Sequence, residues 1–119
     1  MTAEGVRARW ETLWARLDAE AEAERLSEAA FFNLSKAYRY LLPDERVIVD
    51  HVLEEWVLSS DERKQFDALG LIREHRITSA APALHELAAR LAKSPDQRSQ
   101  HELKDIQRIL TKLEDGDRS

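Results

Sequence analysis

SSDERKQFDALGLIREHRITSAAPALHELAARL, residues 59–91, decides how the rest of the 119-residue chain is read. It holds two helical patterns parted by a short break. The first begins at Ser59, where a serine followed three residues later by Glu62 satisfies the capping-box pattern. Phe66, Leu69 and Ile72 read as one apolar stripe, and Ala68 with Leu71 as a second. A helix apolar on two sides is sandwiched between neighbours, so Phe66 is expected in the core. Gly70 costs about 1 kcal/mol relative to alanine in a helix interior, which points to the close approach of another helix. The break falls at Ile77 to Ser79. Thr78 or Ser79 then caps the second helix, with Pro82 in its first turn, where a missing N–H costs least. Leu84, Leu87, Ala88 and Leu91 continue the apolar stripe, while His85, Glu86 and Arg90 face elsewhere.

Working outward, Pro43 opens the helix that precedes this stretch, and Asp44 and Glu45 suit its positive N-terminal end. Val49, Val52, Leu53, Trp56 and Val57 supply its buried face. Asp50, Glu54 and Glu55 lie away from most of that face and are candidates for exposure. Before it, Leu26, Ala30, Leu34, Tyr38 and Leu41 make a helical stripe with Phe31 and Phe32 adding bulk, open to interruption near Asn33 to Ser35. The first helix runs from Thr2, its cap, to about Ala21, with Val6, Trp10, Leu13, Trp14 and Leu17 on one face. Between them Asp18, Glu20, Glu22, Glu24 and Glu28 form an acidic run broken by Arg25. Such a run ordinarily lies in solvent. At the other end Ser94, Pro95 and Asp96 mark a loop. Two start signals follow, Ser94 with Gln97 and Ser99 with Glu102, and the second is preferred because apolar periodicity begins only at Leu103. Leu103, Ile106, Ile109, Leu110 and Leu113 complete a sixth helix. One helical domain over 1–115 with a frayed tail at 116–119 is expected.

Composition agrees with six surface-rich helices around one core: 43% of residues are apolar, 34% are charged, and there are three glycines and three prolines. No cysteine is present, which removes disulfides, thiolate nucleophiles and Cys-based zinc sites, and fits a cytoplasmic protein. No stretch approaches the ~18 apolar residues of a membrane span, so no membrane association is expected. The formal net charge of −5 opposes the phosphate backbone, hence no nucleic acid either. It points towards a basic partner.

Asp61, Arg63, Ala68, Leu69 and Gly70, followed by Ala81, Pro82, Ala83, Leu84 and Leu87, resemble a HEAT repeat, in the order D-x-R-x-x-x-x-A-L-G and then A-P-A-L-x-x-L. The match covers about 30 residues, 59–91, and departs from the family's pattern at the large Phe66 and in the turn EHRIT, which lacks the usual glycine and aspartate. The resemblance implies an all-α fold, a short right-handed α-α superhelix-like stack. An irregular helical bundle is the alternative. It further implies a binding scaffold whose second helices line one surface. Here that candidate partner surface comprises Asp50, Glu54, Glu55, His85, Glu86 and Arg90. Fold alone does not fix function.

Chemical motifs fail on spacing. His85-Glu86 and His101-Glu102 each open a HExxH-like pattern, but the closing positions are Ala89 and Asp105. Glutamate is absent three residues before His51, His75, His85 and His101, where a di-iron bundle would require it. The serines fit helix starts better than a nucleophile elbow, and no glycine-rich phosphate loop exists. The expectation is therefore no enzyme, no cofactor and no metal. A small acidic protein-protein interaction module is expected, in one specific version an immunity-type inhibitor of a toxin with a basic active site. A small-ligand-binding protein or enzyme of unknown reaction, or a structural homo-oligomer, are the alternatives.

Overall fold

The computed structural model describes residues 2–24 and 27–116, with side chains described over 2–20 and 30–114. The described residues form six α-helices and a short 3-10 turn, with no strand: α1 (Ala3–Glu24), α2 (Ser27–Arg39), α3 (Pro43–Val57), α4 (Glu62–His75), the 3-10 turn Thr78–Ala80, α5 (Ala81–Ala92) and α6 (Gln97–Gly116). The all-α expectation holds. Among the described residues no helix is long and apolar enough to cross a membrane. The chain divides into two compact units, Met1–Val52 and Leu53–Ser119, which part inside α3. Leu26, and the side chains of Glu22, Glu24 and Glu28 in the acidic run, lie outside the described residues, as does the tail beyond Gly116.

In the first unit α1 and α2 pack extensively against each other. Thr2 caps α1 as its sequence predicts, its Oγ1 accepting the Gly5 N–H at 3.0 Å. Val6, Trp10 and Leu17 are buried, whereas Leu13 and Trp14 are only half-buried. The Trp10 ring meets Tyr38 of α2 edge-on, with centroids 6.4 Å apart and planes at 74°, an arrangement favoured by the aromatic quadrupole. α2 runs unbroken through Ser35, which is buried, so the predicted interruption does not occur. It ends at Arg39 because Pro43 cannot continue it, and the chain turns over Tyr40–Leu42.

In the second unit the most extensive pairing joins α5 and α6, with α4 also against α6. Its core includes Leu53, Trp56 and Val57 of α3, Ala68, Leu71 and Ile72 of α4, Leu84 and Leu87 of α5, and Ile106, Ile109, Leu110 and Leu113 of α6. Phe66 is a correction. It is 71% exposed. The i, i+3, i+6 reading of Phe66, Leu69 and Ile72 drifts by about 120° around a helix of 3.6 residues per turn, so Phe66 leaves the arc that Ala68, Leu71 and Ile72 define. Gly70 is half-buried.

The starts of α4 and α6 depart from the sequence reading for a common reason. At α4 the cap is Asp61, whose carboxylate accepts the N–H groups of Arg63 and Lys64, while Ser59 Oγ accepts from Asp61 N. At α6 the helix starts at Gln97, and Asp96 Oδ1 accepts the Ser99 N–H at 2.6 Å, so Asp96 displaces the predicted Ser99. A carboxylate accepts these free N–H groups as a hydroxyl does and adds charge opposite the helix dipole. α5 has Ala80 at its cap and no side-chain cap bond, the preceding 3-10 turn taking that place, with Pro82 in the first turn as predicted. α4 stops at Arg76, which adopts the left-handed conformation at φ 51°. The N–H groups of Arg76 and Ile77 both donate to the Ile72 carbonyl. Ile72 and Ile77, the two positions that carry apolar residues in a Schellman-type stop, are both buried, and the stop is built without glycine.

Candidate partner-binding surface

The polar residues singled out from sequence fall into three local settings. On α3, Asp50 is half-buried and accepts a hydrogen bond from the Tyr38 hydroxyl at 2.7 Å. Glu54 is half-buried and Glu55 exposed. On α5, Glu86 and Arg90 pair with each other at 3.2 Å one helical turn apart, and His85 Nε2 lies 3.5 Å from the Glu114 carboxylate of α6. Among the described residues His85, Glu86 and Arg90 make no pair with Glu54 or Glu55. The α5 residues are thus solvent-side pairs of the kind worth about 0 to 1 kcal/mol, and Glu55 is the most exposed of the α3 candidates.

Asp50 belongs to the interior bonding of the first unit. Tyr38 is buried, with the Arg46 guanidinium 5.5 Å from its ring centroid. Burial, and then the bond to Asp50, push the Tyr38 phenol well above its ordinary range, with Arg46 opposing. A phenol so raised stabilises the fold fully below its ordinary pKa of about 10, and that contribution is lost as pH rises towards its folded value. Asp50→Ala leaves the buried hydroxyl short of an acceptor, for an expected loss of about 1 to 3 kcal/mol. Urea melts check this, and Asp50→Asn, which keeps an acceptor oxygen, should recover part of the loss. Charge reversal at Asp50 therefore tests folding, and Glu55→Lys, at an exposed position, probes the acidic face.

Glu45 plays a similar part at the turn between α2 and α3. Its Oε1 accepts the Leu42 N–H at 2.9 Å, and its Oε2 takes the Arg9 guanidinium at 2.8 Å. Those two contacts, Leu42 first, hold its carboxyl below the usual range. A depressed carboxyl contributes its stability above the unfolded pKa of about 4.3 and loses it as pH falls through the lower folded value. The difference in urea midpoint between the wild type and Glu45→Gln should accordingly stay constant above about pH 5 and shrink below it.

Bulky apolar side chains left in solvent are the part sequence reasoning missed. Phe32, Tyr40, Leu42 and Val47 in the first unit, and Phe66 in the second, are between 58% and 75% exposed. The signal was present in part, since Phe32 and Tyr40 lie off the Leu34–Tyr38 stripe and Val47 lies off the Val49, Val52 and Trp56 face.

Chemistry is harder to assemble from what the surface offers. Among the described residues no group of three or more His, Asp or Glu side chains is placed to hold a metal ion. Two shallow depressions lie on single helices, one on α6 at Lys104, Gln107, Arg108, Thr111 and Lys112, the other on α1 at Ala8, Arg9, Thr12, Leu13 and Arg16. Neither joins groups from two elements, so neither brings an acid, a base and a nucleophile together. No protein family, curated protein or solved structure matches the chain.

Proposed function

We propose that the chain is a non-catalytic protein-protein interaction module. The observation that supports this most directly is the exposure of Phe32, Tyr40, Leu42 and Val47 within the single window 32–47. Lone exposed apolar residues are ordinary, but a concentration of them is the usual mark of a surface that a partner covers. The HEAT-like reading of residues 59–91 belongs to the same proposal. So does its specific version, an immunity-type inhibitor of a toxin with a basic active site, which draws on the net charge of −5 and on the acidic Glu54 and Glu55.

Photo-crosslinking in the native host tests the reading, with a benzophenone amino acid placed at Tyr40, at Phe66 or at Glu55. A discrete adduct with another protein is the expected result. An adduct of twice the chain's own mass would assign it to a homo-oligomer, and a small molecule retained on the purified protein would favour the ligand-binding alternative.

A further inference from the structure

We infer that the corner where α2 ends and α3 begins docks an acidic, apolar segment of another protein chain. This rests on the binding-module reading and gives it a place and a chemistry. Phe32, Lys36, Arg39 and Tyr40 follow one another at i, i+4, i+7 and i+8. The Tyr40 N–H still donates to the Lys36 carbonyl, so Tyr40 keeps the register of α2. At 3.6 residues per turn these four occupy an arc of about 100°. Phe32 and Tyr40 are 67% and 75% exposed. Across the turn stand Leu42 and Val47, both exposed. Arg46 ties the two sides together, its guanidinium donating to the Arg39 carbonyl at 2.8 Å.

The charge of this corner is opposite to that of the chain. Acidic residues outnumber basic ones 23 to 18 overall, and Arg9, Arg90, Arg98 and Arg108 each pair with a carboxylate. Among the described residues Lys36, Arg39 and Arg46 pair with none. Glu45, close by in sequence, is bound to Leu42 N and Arg9. Asp44 is the exposed carboxylate of the first turn of α3. Exposed aromatic and aliphatic anchors beside three uncompensated cations fit a segment that presents Asp or Glu beside large apolar side chains. The anchors would supply affinity, and the cations would supply orientation and encounter rate. A second copy fits poorly, because a two-fold contact through this corner would set the same cations against each other. A nucleic acid would meet only three cations on a chain of net charge −5.

Selection of random peptides of about 12 residues, near three helical turns, on the immobilised full chain tests the assignment. Enriched peptides should combine Asp or Glu with Leu, Phe or Trp. A labelled peptide from that pool should lose about tenfold or more in affinity against Tyr40→Ser, and likewise against the double variant Lys36→Glu, Arg39→Glu. All three positions are exposed, and circular dichroism confirms that each variant keeps its helices. Basic or uncharged winners would overturn the inference, as would binding that ignores both variants. An oligonucleotide that displaces the peptide, or a dimer in sedimentation that Tyr40→Ser disperses, would give the corner a different occupant and overturn it too. Peptides whose binding fails only in Glu55→Lys would remove the corner and leave the binding module standing. No enriched peptide and no cross-linked partner would remove both.

Discussion

Trp10→Ala will lower the unfolding free energy by about 3 to 5 kcal/mol, the range for deleting a buried indole. Trp10 is 3% exposed in α1 and sets its ring edge-on to Tyr38, so the deletion removes both the volume and the aromatic contact between α1 and α2. Its Nε1 has no hydrogen-bond partner among the described residues. A buried donor left without an acceptor carries a penalty of about 1 to 3 kcal/mol. Trp10→Phe removes that donor while keeping a ring against Tyr38, and should cost only about 1 to 2 kcal/mol, the lost volume being partly offset. Urea melts followed by circular dichroism make the comparison. Equal losses in the two variants would show that the indole N–H, not the ring, holds the site.

Leu84→Ala in α5 is expected to cost about 2 to 5 kcal/mol, and Phe66→Ala in α4 less than about 0.5 kcal/mol. Both residues belong to the apolar pattern of 59–91, so composition alone would rank the phenylalanine as the heavier loss. The structure reverses the order, because Leu84 is fully buried while Phe66 is 71% exposed. The same pair of melts that measures one measures the other. A large loss for Phe66→Ala would mean that a neighbour covers the ring in solution.

What could be read from the sequence depended on how narrow each apolar arc is. The start and the apolar face of α3 were readable: Pro43 fixes the one, and Val49, Val52, Leu53, Trp56 and Val57 all go inside. α4 was readable as a helix but not in its buried face, because its apolar residues spread over more than one side and only packing selects among them. The cap of α1 was foreseeable at Thr2, whereas those of α4 and α6 were misplaced by two or three positions, since Ser59 and Asp61, or Ser99 and Asp96, offer competing acceptors. The polar candidates were harder still. Asp50 lies off the core stripe of α3, yet Tyr38, twelve residues earlier, reaches it with its hydroxyl. No periodicity within one helix carries that information. Phe32 was obscured by the opposite habit, that of crediting a large apolar residue with burial, whereas Tyr40, Leu42 and Val47 stand outside every apolar stripe.

The extensive pairings of α1 with α2 and of α5 with α6 join helices adjacent along the chain. Bringing such neighbours together closes only short loops, whose entropy cost is small, and helical topologies rich in local contacts refold in about microseconds to milliseconds. The kinetic consequence is that each hairpin can assemble before the rest of its unit, leaving little time for apolar surface to be exposed to aggregation. Stopped-flow refolding should accordingly recover most of the helical signal within its first milliseconds.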